Sequence, residues 1–284
     1  MTFLRRAKQL AIDLIAAALA YVAYVLVYHL VRYRRQVVAD NLSHAMPDLN
    51  DAELRRLQKA SYRHLGRMGA EVLLSPLLSR EDFSRRVTFR NLDLIESAAR
   101  ASNQVIVLLI HQGNWEWILS SASARLSVPV DPVYKTLHSP FWNRYMLRIR
   151  SRFGASPIAL ADAGRNVVRA RNRQRIIGLV ADQSGPRVSG YWTDFLNRPA
   201  SFYRGAEKLA RSMDIPVYFA QCRVCRPGYY EVEFLTVSTP PHAARDDEIT
   251  RTFVAYAERS IRLQPRSYLW TNRRWKRKPP EPKA

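Results

Sequence analysis

Cysteine is scarce in this chain: two residues, Cys222 and Cys225, among 284. A Cys-x2-Cys pair can be a redox dithiol or half a zinc site, but no second pair exists and no histidine lies nearby before His242. Residues 215–225 read as a strand, which turns the two thiols to opposite faces. They are taken as structural, no metal site is expected, and the fold depends on no disulfide. Acidic residues are also in short supply, 24 Asp and Glu against 45 Lys and Arg, for a formal charge of +21. That balance calls for an anionic partner, either nucleic acid or an anionic membrane and its lipids. No DNA- or RNA-binding signature accompanies the charge, no internal repeat is visible and no interdomain linker stands out.

What is present is apolar sequence, 47% of the chain, which excludes a disordered basic tail protein. The length suits one large domain burying about three quarters of its unfolded surface. Residues 1–35 run basic–apolar–basic: Arg5, Arg6 and Lys8, then the stretch 10–31, then Arg32, Arg34 and Arg35. About 20 residues suffice to span hydrocarbon, so a membrane-anchoring helix is expected. Tyr21, Tyr24, Tyr28 and many alanines dilute its hydrophobicity, and a re-entrant, interfacial or domain-buried helix stays open. The apolar region is too long for a cleaved signal peptide, and three basic residues on each side leave its orientation undecided. Residues 36–80 form a helical lead-in, with Leu54, Leu57, Ser61, Leu65, Met68 and Val72 at helical spacing and Asn50 or Asp51 as N-cap.

Strands and helices then alternate. Strands are expected at 86–90, 105–110, 130–134, 155–158 and 175–181, and helices at 91–101, 115–126, 140–152, 162–173 and 201–212, the last capped by Ser201. A hairpin over 217–225 and 229–234 turns at Pro227-Gly228, and a final helix spans 246–263. The pattern predicts an α/β fold with a mixed, mostly parallel central sheet flanked by helices. The domain covers 36–272, and 273–284 is a frayed, basic, Pro-rich tail.

Six apolar residues at 105–110, four of them β-branched, read as a buried parallel strand. The run stops at His111, and Gly113-Asn114 turns the chain into a helix opening near Trp115. Polar groups at the carboxyl end of such a strand are where open α/β sheets bind ligands. Glu116 is close enough to hold one imidazole nitrogen of His111, fixing the tautomer and leaving the other as a base. The bland alternative is a strand-end histidine satisfied by local backbone. Backbone N–H groups around Gly113 and Asn114 are candidates for an oxyanion site. Asp182 closes the strand 176–181 and stands beside His111 if the two strands are neighbours, where it can orient a sugar hydroxyl or pair with an arginine. Between Lys135 and Arg175 lie ten Lys/Arg and one acid, Asp162. Arg198 and Arg204, with Lys208, form a further candidate anion site.

His111-Gln-Gly-Asn-Trp-Glu116 resembles the signature of the lipid A biosynthesis (lauroyl/myristoyl-type) acyltransferases, within the wider glycerophospholipid acyltransferase-like group whose motif is His-x4-Asp/Glu. The resemblance covers almost the whole chain. It includes the N-terminal apolar helix with Asn41-Leu42 after it, Ala181-Asp182-Gln183, Asn197-Arg198-Pro199-Ala200 before Gly205, and Tyr268-Leu-Trp270 leading to Arg273-Arg-Trp-Lys276. The chain departs from the family at Asp194-Phe195-Leu196-Asn197-Arg198, where members often carry Phe-Phe-Gly-like residues. The resemblance implies a membrane-bound enzyme of the bacterial inner membrane, its site facing the cytoplasm. It would move a fatty acyl chain from acyl carrier protein or a coenzyme A thioester to a hydroxyl or amine of a lipid A precursor or related lipid, directly and without a cofactor. It also implies an arginine on the helix after the second strand, best matched by Arg148 and next by Arg150, to pair with Glu116 or grip an acceptor phosphate. Trp115, Trp117, Trp142, Tyr145, Tyr191, Trp192 and Phe195 can line an acyl groove or serve as core. Glycerol phosphate, an ornithine-type lipid or a pigment headgroup are alternative acceptors. A non-catalytic, membrane-tethered binder of anionic lipid or nucleic acid is the reading from another class.

Overall fold

The computed structural model describes residues 3–280, with side chains from residue 7 onward, so the side chains of Arg5 and Arg6 and the last four tail residues lie outside the description. The chain opens with α1 (Phe3–Tyr24), which continues as a π-helical segment, Val25–Leu30, then α2 (Arg35–Ala45), α3 (Asp51–Leu74) and α4 (Arg80–Arg86). Strand and helix then alternate through β1 (Val87–Phe89), α5 (Leu92–Ser102), β2 (Gln104–Leu109), α6 (Trp115–Arg125), β3 (Val130–Tyr134), α7 (Pro140–Arg150), β4 (Ile158–Ala159), α8 (Ala163–Arg169) and β5 (Arg175–Val180). The chain ends with β6 (Tyr191–Phe195), β7 (Arg198–Phe202), α9 (Gly205–Met213), β8 (Val217–Arg226), β9 (Tyr229–Ser238) and α10 (Glu248–Leu263).

Among the described residues, seven strands form one sheet in the order β1-β9-β8-β2-β5-β3-β4. Every neighbouring pair is parallel except the β8–β9 hairpin. The fold class is therefore the one expected, a mostly parallel α/β sheet covered on both faces. Alternation along β2 shows why the sheet needs both covers. Val105 and Val107 join the core under Ile95, Ala99, Trp117 and Ile118, whereas Ile106 and Leu108 join the core under Phe253, Ala257 and Ile261 of α10. β2 sits at the centre of the sheet, so whatever follows Leu109 is carried on the most constrained strand of the molecule.

Local chemistry explains the element ends. Asn50 starts α3: its Oδ1 accepts from the N–H groups of Ala52 and Glu53, each at 3.0 Å, while Glu53 accepts from Asn50 N at 2.9 Å. One expectation fails at 201–212. Ser201 lies within β7, paired opposite Trp192 of β6, and the helix begins only at Gly205. The two-residue turn of that hairpin is Leu196-Asn197, both at positive φ, 52° and 64°. Hairpin turns of this kind favour Asn-Gly, and no glycine marks this one.

The N-terminal helix is long and apolar enough over Ala7–Leu30 to cross a membrane. In the fold it lies along α3, with Ile12, Ala16, Ala20, Tyr24 and Tyr28 buried. Gly66 of α3 allows the close approach: a Cβ there would fall 2.6 Å from the Ala20 carbonyl oxygen. The expected frayed tail is also anchored in part, because Arg274 is buried, with its guanidinium over the Phe202 ring at 4.2 Å.

Candidate active site

β2 and β5 run parallel in direct register, Leu109 opposite Val180, so His111 and Asp182 leave the sheet at the same level. Asp182 Oδ1 receives the backbone N–H of His111 at 3.2 Å and lies 2.7 Å from Nδ1 of its ring. Asp182 Oδ2 accepts the Tyr268 hydroxyl at 2.9 Å. The segment holding Tyr268 is tied to the same loop: Leu269 N donates to the His111 carbonyl at 2.9 Å, and Gly113 N to the Ser267 carbonyl at 3.0 Å. Asp182 is fully buried, which alone would favour the neutral acid. The His111 ring, the Tyr268 hydroxyl and the Arg274 charge outweigh burial and hold the carboxyl below its ordinary range. Burial also opposes a charged imidazole, yet Asp182, with Glu116 further off, raises the pKa of His111 above its ordinary value. An ionised Asp182 takes the proton on Nδ1 as donor, so the Nε2 lone pair is the free one. The side-chain amide of Gln183 stands 3.5 Å from Nε2, and the Trp115 ring packs edge-on against the imidazole with centroids 4.9 Å apart.

Glu116 does not hold His111, which corrects the expectation from spacing. Its carboxylate is gripped by Arg150 of α7, Nε to Oε2 at 2.9 Å and Nη2 to Oε1 at 2.6 Å, and Oε1 also accepts Trp115 Nε1 at 3.1 Å. The physical reason is direction. Glu116 lies in the first turn of α6, facing α7, whereas Asp182 hangs from the neighbouring strand at the height of the imidazole. The same geometry reverses the order of the two arginines: Arg150 reaches the site and Arg148 is exposed on α7.

Gly113 and Asn114 also take other work than expected. The Gly113 N–H is committed to Ser267, and its carbonyl accepts His64 Nε2 at 3.1 Å. Gly113 has φ +65°, and a Cβ there would fall 2.4 Å from Cys222 Sγ, so only glycine fits. The Asn114 N–H points to Cys222, whose thiol burial pushes up to about 12. Asn114 Oδ1 caps α6 by accepting Trp117 N at 3.1 Å, while its Nδ2 donates to Glu71 at 2.9 Å. These two residues therefore shape the turn and offer no free N–H to an oxyanion. Arg198 pairs with Asp40 at 2.7 Å and Arg204 with Asp247 at 2.6 Å, and neither borders the cavity described next. Lys208 is exposed.

Nε2 of His111 opens onto a cavity of about 620 Å³. Its polar lining comes from His111, Glu116, Lys135, Arg150 and Gln183; its walls are otherwise largely aliphatic, from Val107, Leu109, Leu119, Leu126, Leu160 and Leu179. Gly164, Gly178 and Ala206 leave room along it. Of the aromatics expected to line such a groove only Trp115 does; Trp117 and Phe195 are core, and Tyr145 bonds backbone carbonyls of α3. Tyr268, Gln183 and Arg274 are the neighbours that residue-by-residue reading passed over as site residues, although Asp182-Gln183 and Tyr268-Leu-Trp270 stood out as motifs.

His111 therefore borders a cavity whose walls are largely aliphatic. A family model of bacterial lipid A biosynthesis acyltransferases matches residues 1–277. No individual curated protein is matched. The match takes in both strands that carry His111 and Asp182, the α6–α7 rim and the Tyr268 segment, and on that extent the chain belongs to the bacterial lipid A biosynthesis acyltransferase family.

Proposed function

We propose that the protein is a membrane-bound acyltransferase that moves a fatty acyl chain from a thioester, carried by acyl carrier protein or coenzyme A, to a hydroxyl of a lipid A precursor or related lipid. Family membership supports acyl transfer to lipid A-like acceptors. The observation that carries the mechanism is His111, with Nδ1 at 2.7 Å from Asp182 and Nε2 facing the aliphatic cavity. Nε2 takes the proton of the acceptor hydroxyl as its oxygen attacks the thioester carbonyl. The imidazolium so formed is stabilised by Asp182, as in other His–carboxylate pairs. Collapse of the tetrahedral intermediate breaks the C–S bond, and the proton passes from His111 to the departing thiolate. With the Gly113 and Asn114 N–H groups engaged elsewhere, the Gln183 amide is the donor placed to meet the oxyanion. The Glu116–Arg150 pair and Lys135 supply charge to the cavity lining, suited to an acceptor phosphate, while the acyl chain lies along the aliphatic walls. The donor requires a cytoplasmic site, and no bound cofactor takes part in these steps.

The test is lipid mass spectrometry of cells lacking the gene, complemented with wild type or with His111→Ala. A lipid short of one acyl chain, restored by wild type alone, supports the reading and its mass names chain and acceptor. Restoration by His111→Ala contradicts it.

A further inference from the structure

The acyl-transfer steps leave one fully buried carboxylate unused. Glu71, in the last turn of α3, is 0% exposed, and a carboxylate so placed persists only when its lone pairs are met. Three donors meet them. Arg67 Nε reaches Oε1 at 2.7 Å from one turn earlier. The Tyr230 hydroxyl of β9 and Nδ2 of Asn114, in the turn after His111, donate to Oε2 at 2.5 and 2.9 Å. Burial and the Glu71 charge raise the pKa of Tyr230 well above the ordinary phenol value, so its hydroxyl keeps the proton it donates.

A group that only accepts dictates which way a neighbouring amide faces. Asn114 presents Nδ2 to Glu71, which turns its Oδ1 to the other side, where it accepts Trp117 N at 3.1 Å and starts α6. The same face of α3 holds the rest of the turn. His64 Nε2 lies 3.1 Å from the Gly113 carbonyl, and Trp117 Nε1 donates to the Glu71 carbonyl at 3.1 Å and to Ser75 Oγ at 2.9 Å. His64, Glu71 and Ser75 follow one another at the spacing of a single helix face. From the opposite side, Gln112 Nε2 donates to the carbonyls of Ser260 and Gln264 at 3.0 and 3.2 Å. The segment between α3 and α10 therefore has little freedom, and it carries the groups around the base. Trp115 packs edge-on against the His111 ring, and Glu116 is gripped by Arg150.

We propose that Glu71 is a positioning residue for the acyl transfer: acting through Asn114, it sets the first turn of α6, and with it Trp115 and Glu116 around His111. Glu71 does not line the cavity, and the carboxylates that act on the charge of His111 are Asp182 and Glu116. Its influence on the base is geometric, through a link that preorganises the site. This rests on the His111 reaction proposed above.

The experiment compares the full-length wild type with Glu71→Gln, Asn114→Ser, the double variant Glu71→Gln/Asn114→Asp, and His111→Ala. Asn114→Ser retains a good N-cap but is too short to reach Glu71. The double variant reverses the link, an amide at position 71 donating to a capping carboxylate at 114. Transfer is followed from lauroyl-acyl carrier protein or lauroyl-coenzyme A to a lipid A precursor in micelles, and hydrogen–deuterium exchange is read over residues 111–119. Glu71→Gln and Asn114→Ser should each lower kcat by as much as about 10²-fold, the order that a small misplacement costs, with a smaller change in KM. Exchange should quicken over 111–119 while the sheet stays protected, and the double variant should regain kcat toward wild type. Wild-type kcat and exchange in Asn114→Ser overturn the proposal, as does a double variant no more active than Glu71→Gln. Faster exchange along the whole chain with kcat unchanged also overturns it, because Glu71 then only stabilises the fold. Full activity in His111→Ala overturns the reaction together with this role; full activity in Glu71→Gln beside an inactive His111→Ala overturns the role alone.

Discussion

The crest of the sheet and the rim formed by α6 and α7 each bring one carboxylate toward His111, and they use it differently. At the crest, Asp182 is held by strand register, fully buried, and bonded to the imidazole. At the rim, Glu116 is held by a helical turn and bonded bidentately to Arg150. The crest is rigid because two central parallel strands fix its height, so it can set a tautomer and a pKa. The rim joins two helices through an ion pair that borders the cavity, so it can shape and charge the lining. In the mechanism proposed above, that contrast gives proton chemistry to Asp182 and substrate positioning to Glu116.

The largest expected effect is common to both regions. His111→Ala removes the base and should lower kcat by about 10²–10⁴-fold, with the thermal midpoint near that of wild type. Asp182→Asn should come next, lowering kcat more than it changes KM, because it leaves the ring in place with the wrong proton arrangement. Equal kcat in Asp182→Asn and wild type would erase the distinction. At the rim, Glu116→Gln leaves Arg150 without its charged partner. A stability loss of about 1.5–3 kcal/mol in denaturant unfolding, the usual worth of hydrogen bonds to charged groups, should accompany a KM effect exceeding the kcat effect. The smallest effect separates the two arginines: Arg148→Ala should leave kcat/KM within about twofold of wild type, as expected of an exposed side chain away from special features, whereas Arg150→Ala should raise KM.

The sequence made the scaffold legible because each element carries its own local signal. The apolar run 105–110 reads as a central strand, Asn50 and Glu53 as a helix start, and Pro227-Gly228 as a hairpin turn. Hydrogen-bond partners were harder. Glu116 is near His111 along the chain, and spacing alone favours it, but a residue 71 positions later arrives at the same height through β2–β5 register. Asp182 could be placed beside His111 only on the condition that these strands were neighbours. The β6–β7 hairpin escaped because its turn, Leu196-Asn197, takes positive φ without a glycine to announce it. The burial of Arg274 escaped because a basic, Pro-rich end reads as solvated; its guanidinium sits instead against Phe202 and adds positive potential at Asp182.

The pH dependence of kcat/KM, measured for wild type, Asp182→Asn and Glu116→Gln, tests the assignment most directly. Transfer requires neutral His111, so activity rises as pH climbs through its pKa, and with that pKa raised the acidic limb of wild type lies above the ordinary imidazole value of 6.5. Removing the Asp182 charge leaves burial to dominate and lowers the pKa, moving the limb to lower pH. Glu116→Gln removes the weaker of the two carboxylate influences and should move it the same way by less. A larger displacement in Glu116→Gln than in Asp182→Asn, or no displacement in Asp182→Asn, contradicts the account.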